Sequence, residues 1–468
     1  MKGLALAWVG FTFFLTLPGY AQVVTLRKIP VDKQTEEILA SKFRAYQTVD
    51  TDEQPSAGRQ GLASTLRLMI DDSPSGIVIP LEPNDIRDAS YRAVATTPAG
   101  EVIQDHTVVK WFKGYVNGDP TAPARFSREA DGLAGFFFHE SRMHFIEPLQ
   151  RHYPAPPGVL IVYEATAVIS PQVKCDANEL EQYRAATQAR QASAALPPLS
   201  NGLSLRIATQ ADYTYYRANG AETNDHILGV INQIDGLYEK DFGVNFKVVY
   251  QHVYETDNDP FTSNDALTLL QQFRDDWNAK HQNVDRNIAF LFNAVDLPTG
   301  TLGRAYQAQA CEHEKSSYGF FSYRDLGYEA AIVAHEIGHM LNADHETPAA
   351  CQADPSLMCA SIGRGIPFKF STTAQAAIST YLNSRPCFNT TLETRIHPVP
   401  ARTDLIIECS TSTFSATLYD PLGKKAGVWT FSAATGSIST MGLPPGLYIL
   451  HITTGDQTHT QRIEILNP

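Results

Sequence analysis

The chain has no excess of positive charge and only one long apolar run. Lys plus Arg number 37 against 50 Asp plus Glu, a formal charge of −13 over 468 residues. A protein that wraps nucleic acid needs a basic face to neutralise phosphates, so this balance argues against a nucleic-acid partner. Cysteine is scarce. Six in this length are too few for a disulfide scaffold but enough for a few staples. Charged residues are 19% and apolar residues 43%, which excludes disordered and collagen-like chains. At about 150 residues per domain, the length suggests roughly three domains.

The one long apolar run lies at the start. Lys2 precedes Leu4–Leu17, and Gly19 and Ala21 put small residues at −3 and −1 of a cut after Ala21. This is the pattern of a secretory signal peptide over 1–21. No later run approaches the ~18 apolar residues of a membrane span, so none is expected after signal removal. Export also permits disulfides.

Residues 22 to about 180 read as strand-rich. Gly158–Tyr163 is the better candidate for a buried strand, Thr107–Trp111 is β-branched but only weakly periodic, and Phe112–Tyr115 and Gly135–Phe138 are others, separated by Gly, Pro and Asp. Arg184–Ser200 then turns to Ala, Gln, Ser and Pro without a period, an exposed linker open to proteolytic cutting. From 203 onward strands and helices alternate. Leu203–Ala208, Asn245–Tyr254, Asn287–Phe292, Leu302–Tyr306 and Tyr318–Tyr323 read as strands. Between them, one helix capped by Asn224 carries Ile227, Ile231, Ile234 and Tyr238 on one face and stops at Gly243. A second, capped by Asn264, carries Leu267, Leu270, Phe273 and Trp277. Such alternation implies an α/β domain whose mixed sheet is mostly parallel. Beyond 393 the helical period disappears, and six short strand candidates read as a small all-β sandwich.

The chemistry concentrates in Val333–His345. His335 and His339 are four apart, so on a helix they lie on one face and can share one Zn²⁺. His345, six residues on, reaches the same ion only if the chain turns near Asn342, a residue tolerant of positive φ. Three neutral imidazoles leave a position for water, whose pKa zinc lowers towards ~7. Glu336, beside the first ligand, is placed to take that water's proton and pass it to a leaving amine. The expected reaction is hydrolysis of a peptide bond.

His335-Glu336-Ile337-Gly338-His339-Met340-Leu341-Asn342-Ala343-Asp344-His345 resembles the metzincin motif HExxHxxGxxH, with Asn342 in place of its Gly. Pro355–Cys359 resembles the family's Met-turn, with Met358 as a hydrophobic floor and not a ligand. The surroundings resemble the adamalysin (reprolysin) branch. Gly303-Arg304-Ala305-Tyr306 is similar to the edge strand that pairs with substrate, and Phe370–Cys387 is similar to the last helix and its closing cysteine. Two departures stand out: Glu346 follows the third His where the branch has Asp, and Cys359 follows the Met where the branch has Cys before it. The resemblance implies a metzincin catalytic domain at 201–390, a zinc endopeptidase of the EC 3.4.24 class acting on proteins or peptides.

Phe112–Val116, Asp131–Gly135 and Phe145–Leu149 resemble a reprolysin-type propeptide, which implies a zymogen whose propeptide and linker occupy 22–200. His397–Leu405, the Asp420-x-x-Gly423-Lys424 turn and Gly446-Leu447-Tyr448 resemble the type IX secretion sorting domain of Bacteroidota, at 393–468. That implies a partner in the secretion machinery, and a protein secreted or surface-bound after crossing the periplasm of a Gram-negative bacterium. Cys311, Cys351, Cys359 and Cys387 allow three connectivities. Adamalysins pair similar cysteines as Cys311–Cys387, and Cys351–Cys359 would close a loop around the Met-turn. Cys175 is either a cysteine switch, its thiolate in the fourth zinc position, or an ordinary buried or unpaired thiol. Asp257-Asn258-Asp259-Pro260 is either a Ca²⁺ ligand set or an acidic turn. A surface adhesin with a zinc-stabilised domain and no turnover is the alternative function. Glu336 counts against it, because binding alone does not require that base.

Overall fold

The computed structural model describes residues 23–51, 65–69, 76–104, 108–169, 173–174, 203–297, 300–311, 316–322, 329–362, 368–388, 394–409, 414–432, 435–454 and 457–466. The signal peptide at 1–21, the linker at 184–200 and Cys175 lie outside them.

The N-terminal strands close into a barrel. Its order is Val23–Lys28, Gln47–Thr51, Val159–Glu164, Arg142–Pro148, Gly132–His139, Pro123–Glu129, Trp111–Tyr115, Ile77–Pro83 and Thr65–Met69, which pairs back to the first strand. Alternation along a strand sends every second side chain inside. Phe126 and Phe137 therefore fill the barrel with Leu68, Ile79 and Ile146, while Phe136 and Phe138 point out into a different core. Of the expected strand at Thr107–Trp111, Thr107 lies outside the described residues and 108–110 are not in a strand. The strand begins at Trp111, whose indole is fully buried, and runs to Tyr115.

The second sheet has seven strands in the order Gly303–Ala305, Tyr318–Ser322, Ile288–Asn293, Leu203–Ala211, Val244–Tyr254, Arg87–Thr97 and Gly100–Gln104. The five inner strands run parallel, and the first and last are antiparallel to their neighbours. Two of the seven come from the N-terminal region, more than a hundred residues upstream of the strand they extend. That long-range pairing has no local signal in the sequence.

Helices cover both faces. Helix Ala266–Lys280 packs Leu270, Phe273 and Trp277 on one face, against Tyr250 and Phe320. Its cap is Asp265, not Asn264: the Asp265 carboxylate accepts the Thr268 N–H at 2.8 Å. On the other face lie a backing helix, Thr223–Phe242, the active-site helix, Glu329–Met340, and a closing helix, Thr372–Asn383. Asn224 does not cap the backing helix. It sits inside the first turn, buried, because a short 3₁₀ turn over Gly220–Glu222 leads in. Gly243 ends that helix at φ 64°, in the left-handed conformation that glycine adopts without strain.

Cys311 is bonded to Cys387 and Cys351 to Cys359. The C-terminal strands form a three-stranded and a four-stranded sheet around a core of their own, with Leu405, Ile407, Leu418, Leu450 and Ile463 inside. Cys409 is buried in that core.

Candidate metal centre

The active-site helix delivers His335 and His339 one turn apart, both buried. The chain then reverses. Asn342 takes φ 77°, and the Ala343 N–H reaches back to the Gly338 carbonyl at 2.9 Å. This is the left-handed turn expected at Asn342, and it swings His345 back to the other two. The Nε2 atoms lie 3.0 Å apart for His335 and His339, 3.1 Å for His339 and His345, and 3.3 Å for His345 and His335.

Backbone carbonyls fix the rings. His335 Nδ1 faces the Leu357 carbonyl at 2.5 Å, and His339 Nδ1 faces the Ala343 carbonyl at 2.7 Å. Each Nδ1 therefore carries the proton and each Nε2 presents its lone pair to the shared centre. Burial, with the neighbouring charge of His345, pushes the His335 pKa down to about 3, so it stays neutral, as a metal ligand must. Nitrogens bound to Zn²⁺ at about 2.05 Å in tetrahedral geometry stand about 3.3 Å apart. The three histidines fit that ion, and they are the one group of three metal-ligating side chains found within reach of a common ion among the described residues.

Glu336 is fully buried, next in sequence to the first histidine. Its carboxylate lies against the backbone of Gly303: a Cβ on Gly303 would stand 2.6 Å from Glu336 Oε1 and 2.8 Å from its Cγ. The terminal strand of the sheet thus runs beside the Glu336 carboxylate. Its side chains divide by alternation. Ala305 joins the core on the histidine side, while Tyr306 packs behind the sheet, where its hydroxyl accepts from Arg274 at 3.2 Å. Arg304 is buried and acts electrostatically on Asp265 of the helix behind. Of the four expected edge residues, only Gly303 and Ala305 meet the histidine side.

Met358 is fully buried under the centre, its sulfur 2.7 Å from where a Cβ on Gly338 would sit. Glu346, the departure from the family pattern, accepts a hydrogen bond from Ser371 Oγ at the start of the closing helix. Its N–H meets the Met358 carbonyl at 2.8 Å, tying the third histidine's loop to the Met-turn. Tyr238 donates to the Ala334 carbonyl at 2.9 Å, and Tyr381 to those of Ala308 and Ala310 at 2.8 and 2.9 Å. The helical spacing that puts Tyr238 on an apolar face carries no hint of its hydroxyl contact, and nothing around Tyr381 in the sequence marks its two.

Two weaker candidates lie elsewhere. Asp259 accepts the backbone N–H groups of Tyr213 and Phe261 at 3.1 and 2.9 Å, the bonding of an acidic turn. Val173–Lys174 forms a two-residue antiparallel strand with Ser361–Ile362, just past the Met-turn.

Three imidazoles around one point beside a buried carboxylate make a site that can hold one metal ion with a base next to it. The family model of metallo-peptidase family M12, the reprolysin-like group, matches residues 204–381, the segment holding every element of this centre. That of the secretion system C-terminal sorting domain matches residues 395–466, the strands of the separate C-terminal core. M12 metallopeptidases use zinc, and the matches together support a secreted metalloprotease. The sorting domain points to secretion or the cell surface in Bacteroidetes. No helix among the described residues is long and apolar enough to cross a membrane.

Proposed function

We propose that the chain is a zinc endopeptidase made as a zymogen and exported through the periplasm to the outside of a Gram-negative cell. The observation that carries this reading is the convergence of three Nε2 lone pairs within 3.3 Å of one another beside the buried Glu336. His335, His339 and His345 would hold the metal. When bound, Zn²⁺ supplies a Lewis acid that acidifies water and polarises a carbonyl. Glu336 takes the proton of the attacking water on its carboxylate and delivers it to the leaving amine. Gly303–Ala305 offers the substrate backbone a strand to extend. Met358 keeps the floor beneath the histidines apolar.

The barrel and the linker at 184–200 act as the latent part. The pairing of Val173–Lys174 with Ser361–Ile362 supports that role, because it draws the chain just before Cys175 to the segment after the Met-turn. Cys175 then serves as the switch thiol. The C-terminal domain is the address read by the secretion machinery.

The test is cleavage of a quenched peptide library by purified protein after the linker is cut, with and without a zinc chelator. Turnover abolished by the chelator and restored by zinc supports the peptidase. Zinc bound in full with no turnover on any peptide overturns it and favours the adhesin.

A further inference from the structure

The barrel does not sit on the catalytic sheet as a removable cap. Strand Arg87–Thr97 runs parallel to Val244–Tyr254 from Tyr250↔Arg92 to Tyr254↔Thr96, and Gly100–Gln104 follows outside it. The two regions share one hydrophobic cluster. Trp111, Phe136, Phe138, Met143 and Phe145 belong to the same core as Ile227, Ile231 and Tyr238 of the backing helix. Phe145 also stacks edge-on against Phe368, ring centroids 4.9 Å apart.

Polar groups are buried between them as well. Arg125, with no exposed surface, leaves the barrel and donates to Asp235 of the backing helix through Nε at 3.1 Å and Nη2 at 3.0 Å, and it also pairs with Glu239. Asn84 donates to Asn232 at 2.8 Å, and Tyr91 to Gln251 at 2.5 Å. Removing the barrel would leave the Asp235 carboxylate without its cation and would uncover apolar surface, both costly.

The backing helix is itself shaped for this neighbour. Gly229 and Gly236 are seven apart on one face. A Cβ on Gly236 would stand 2.6 Å from Arg125 Cγ and 2.9 Å from Phe136 Cζ, and one on Gly229 would stand 3.1 Å from Ser127 Oγ. Glycine weakens a helix interior relative to alanine. A face destined for water would have no reason to carry two of them, whereas a face pressed permanently on barrel strands does.

We propose that residues 23–169 are a standing subunit of the enzyme, so that a cut between 175 and 202 yields a two-chain protease and not a free catalytic domain. This rests on the zymogen reading above. The partner of the backing-helix face and of the Val244–Tyr254 strand edge is this chain's own N-terminal segment, held after cleavage without a covalent link. Latency is then relieved by the departure of the Val173–Lys174 strand, which among the described residues pairs as Val173↔Ile362 and Lys174↔Ser361.

The test places a sequence-specific protease site within 184–200 of the full chain, carrying Glu336→Gln to prevent self-digestion. After complete cutting, verified on a denaturing gel, both fragments should co-elute in 1:1 ratio on size exclusion, at low salt and at about 1 M salt, where surface ion pairs are screened. They should part only in denaturant. A catalytic fragment that elutes alone with native circular dichroism overturns the proposal. As a second measurement, residues 201–390 made alone should be insoluble and rescued by co-expression of residues 22–183. A soluble, folded 201–390 fragment overturns it equally. Co-eluting fragments from the chain with Glu336 intact that cleave no peptide would sink the peptidase reading and leave the two-chain architecture standing.

Discussion

The two ends of the catalytic sheet are built in opposite ways. At one end, Gly303–Ala305 runs beside Glu336 and the three histidines, and nearly everything there comes from residues close in sequence to the His335–His345 motif. At the other end, Arg87–Thr97 and Gly100–Gln104 arrive from a distant part of the chain and extend Val244–Tyr254. The first end is written in residue types whose chemistry admits few uses. The second is written in a mixed run, Arg, Asp, Ser and Glu among short apolar residues, of which only Ala93, Val94 and Ala95 are buried, and none of these residue types names a partner. Chemistry is therefore local in this molecule, while the surroundings that hold it are long-range.

This difference decides what the sequence discloses. His335, His339, His345, Glu336 and the turn at Asn342 follow from spacing and from Asn's tolerance of positive φ, Met358 follows from the family likeness alone, and the structure brings the three histidines together. The Cys311–Cys387 bond, which belongs to one of the three connectivities open by count, follows the family likeness. The side-chain directions along Gly303–Tyr306 follow from alternation, which puts the Tyr306 ring behind the sheet and Ala305 on the histidine side. The ion network between barrel and helix could not be read at all. Arg125 and Asp235 lie 110 residues apart with nothing in either neighbourhood to mark them as partners.

The largest expected effect on turnover is at the local end. Glu336→Gln keeps the shape of the side chain and removes the base. Peptide hydrolysis should fall by about 10²–10⁴-fold, the span of a general base, with zinc content and melting temperature unchanged. A zinc-loaded variant that hydrolyses at the wild-type rate would show that the proton goes elsewhere. Gly303 comes next. A Cβ there overlaps the Glu336 carboxylate, so Gly303→Val should displace it and lower kcat by roughly 10²-fold, since misplacement by about 1 Å can cost that much. Gly303→Ala should fall between. Steady-state kinetics on one peptide separates kcat from KM. A loss confined to KM would mean that the strand positions substrate and not the base.

At the barrel side of the molecule the expected effect moves from rate to stability. His226 of the backing helix lies between Glu129 of the barrel, at 3.0 Å, and Glu329 at the start of the active-site helix, at 2.8 Å. Burial opposes its charge, but the Glu329 and Glu129 carboxylates outweigh it and push its pKa up to about 10. Burial also opposes the charge of Glu129, yet His226 and Arg151 hold it at about 2. A raised histidine pKa contributes stability that is complete below its unfolded value near 6.5 and is lost as pH rises towards about 10. A lowered carboxylate pKa contributes stability that is lost as pH falls from about 4.5 towards 2. His226→Gln, made beside Glu336→Gln, should cost roughly 3 kcal/mol near pH 6, because it takes the imidazolium from between two buried carboxylates and leaves Glu129 with Arg151 alone. The gap in melting temperature from the His226 parent should close as pH approaches 10. A gap independent of pH would show that the ring acts by packing alone.

The smallest expected effect on hydrolysis comes from the C-terminal domain, and it tests whether that domain differs in kind from the barrel. Its strands enclose their own core, with Ile407, Leu418, Leu450 and Ile463 buried among themselves, and both disulfides close before residue 393. A unit with a separate core can be removed without unfolding its neighbour. Deleting residues 393–468 should therefore leave specific activity on a short peptide within about twofold once the linker is cut. Transport should fail instead, because a signal peptide carries a chain only across the inner membrane. The truncated protease should accumulate in the periplasm of the native host. Fractionating the cells and assaying each compartment on the same peptide separates the two possibilities. Normal activity outside the cell would mean that the domain does not direct export. Activity lost only on large protein substrates would make it a substrate-binding module. A truncated chain that cannot fold would place the C-terminal domain with the barrel, as part of one interdependent body.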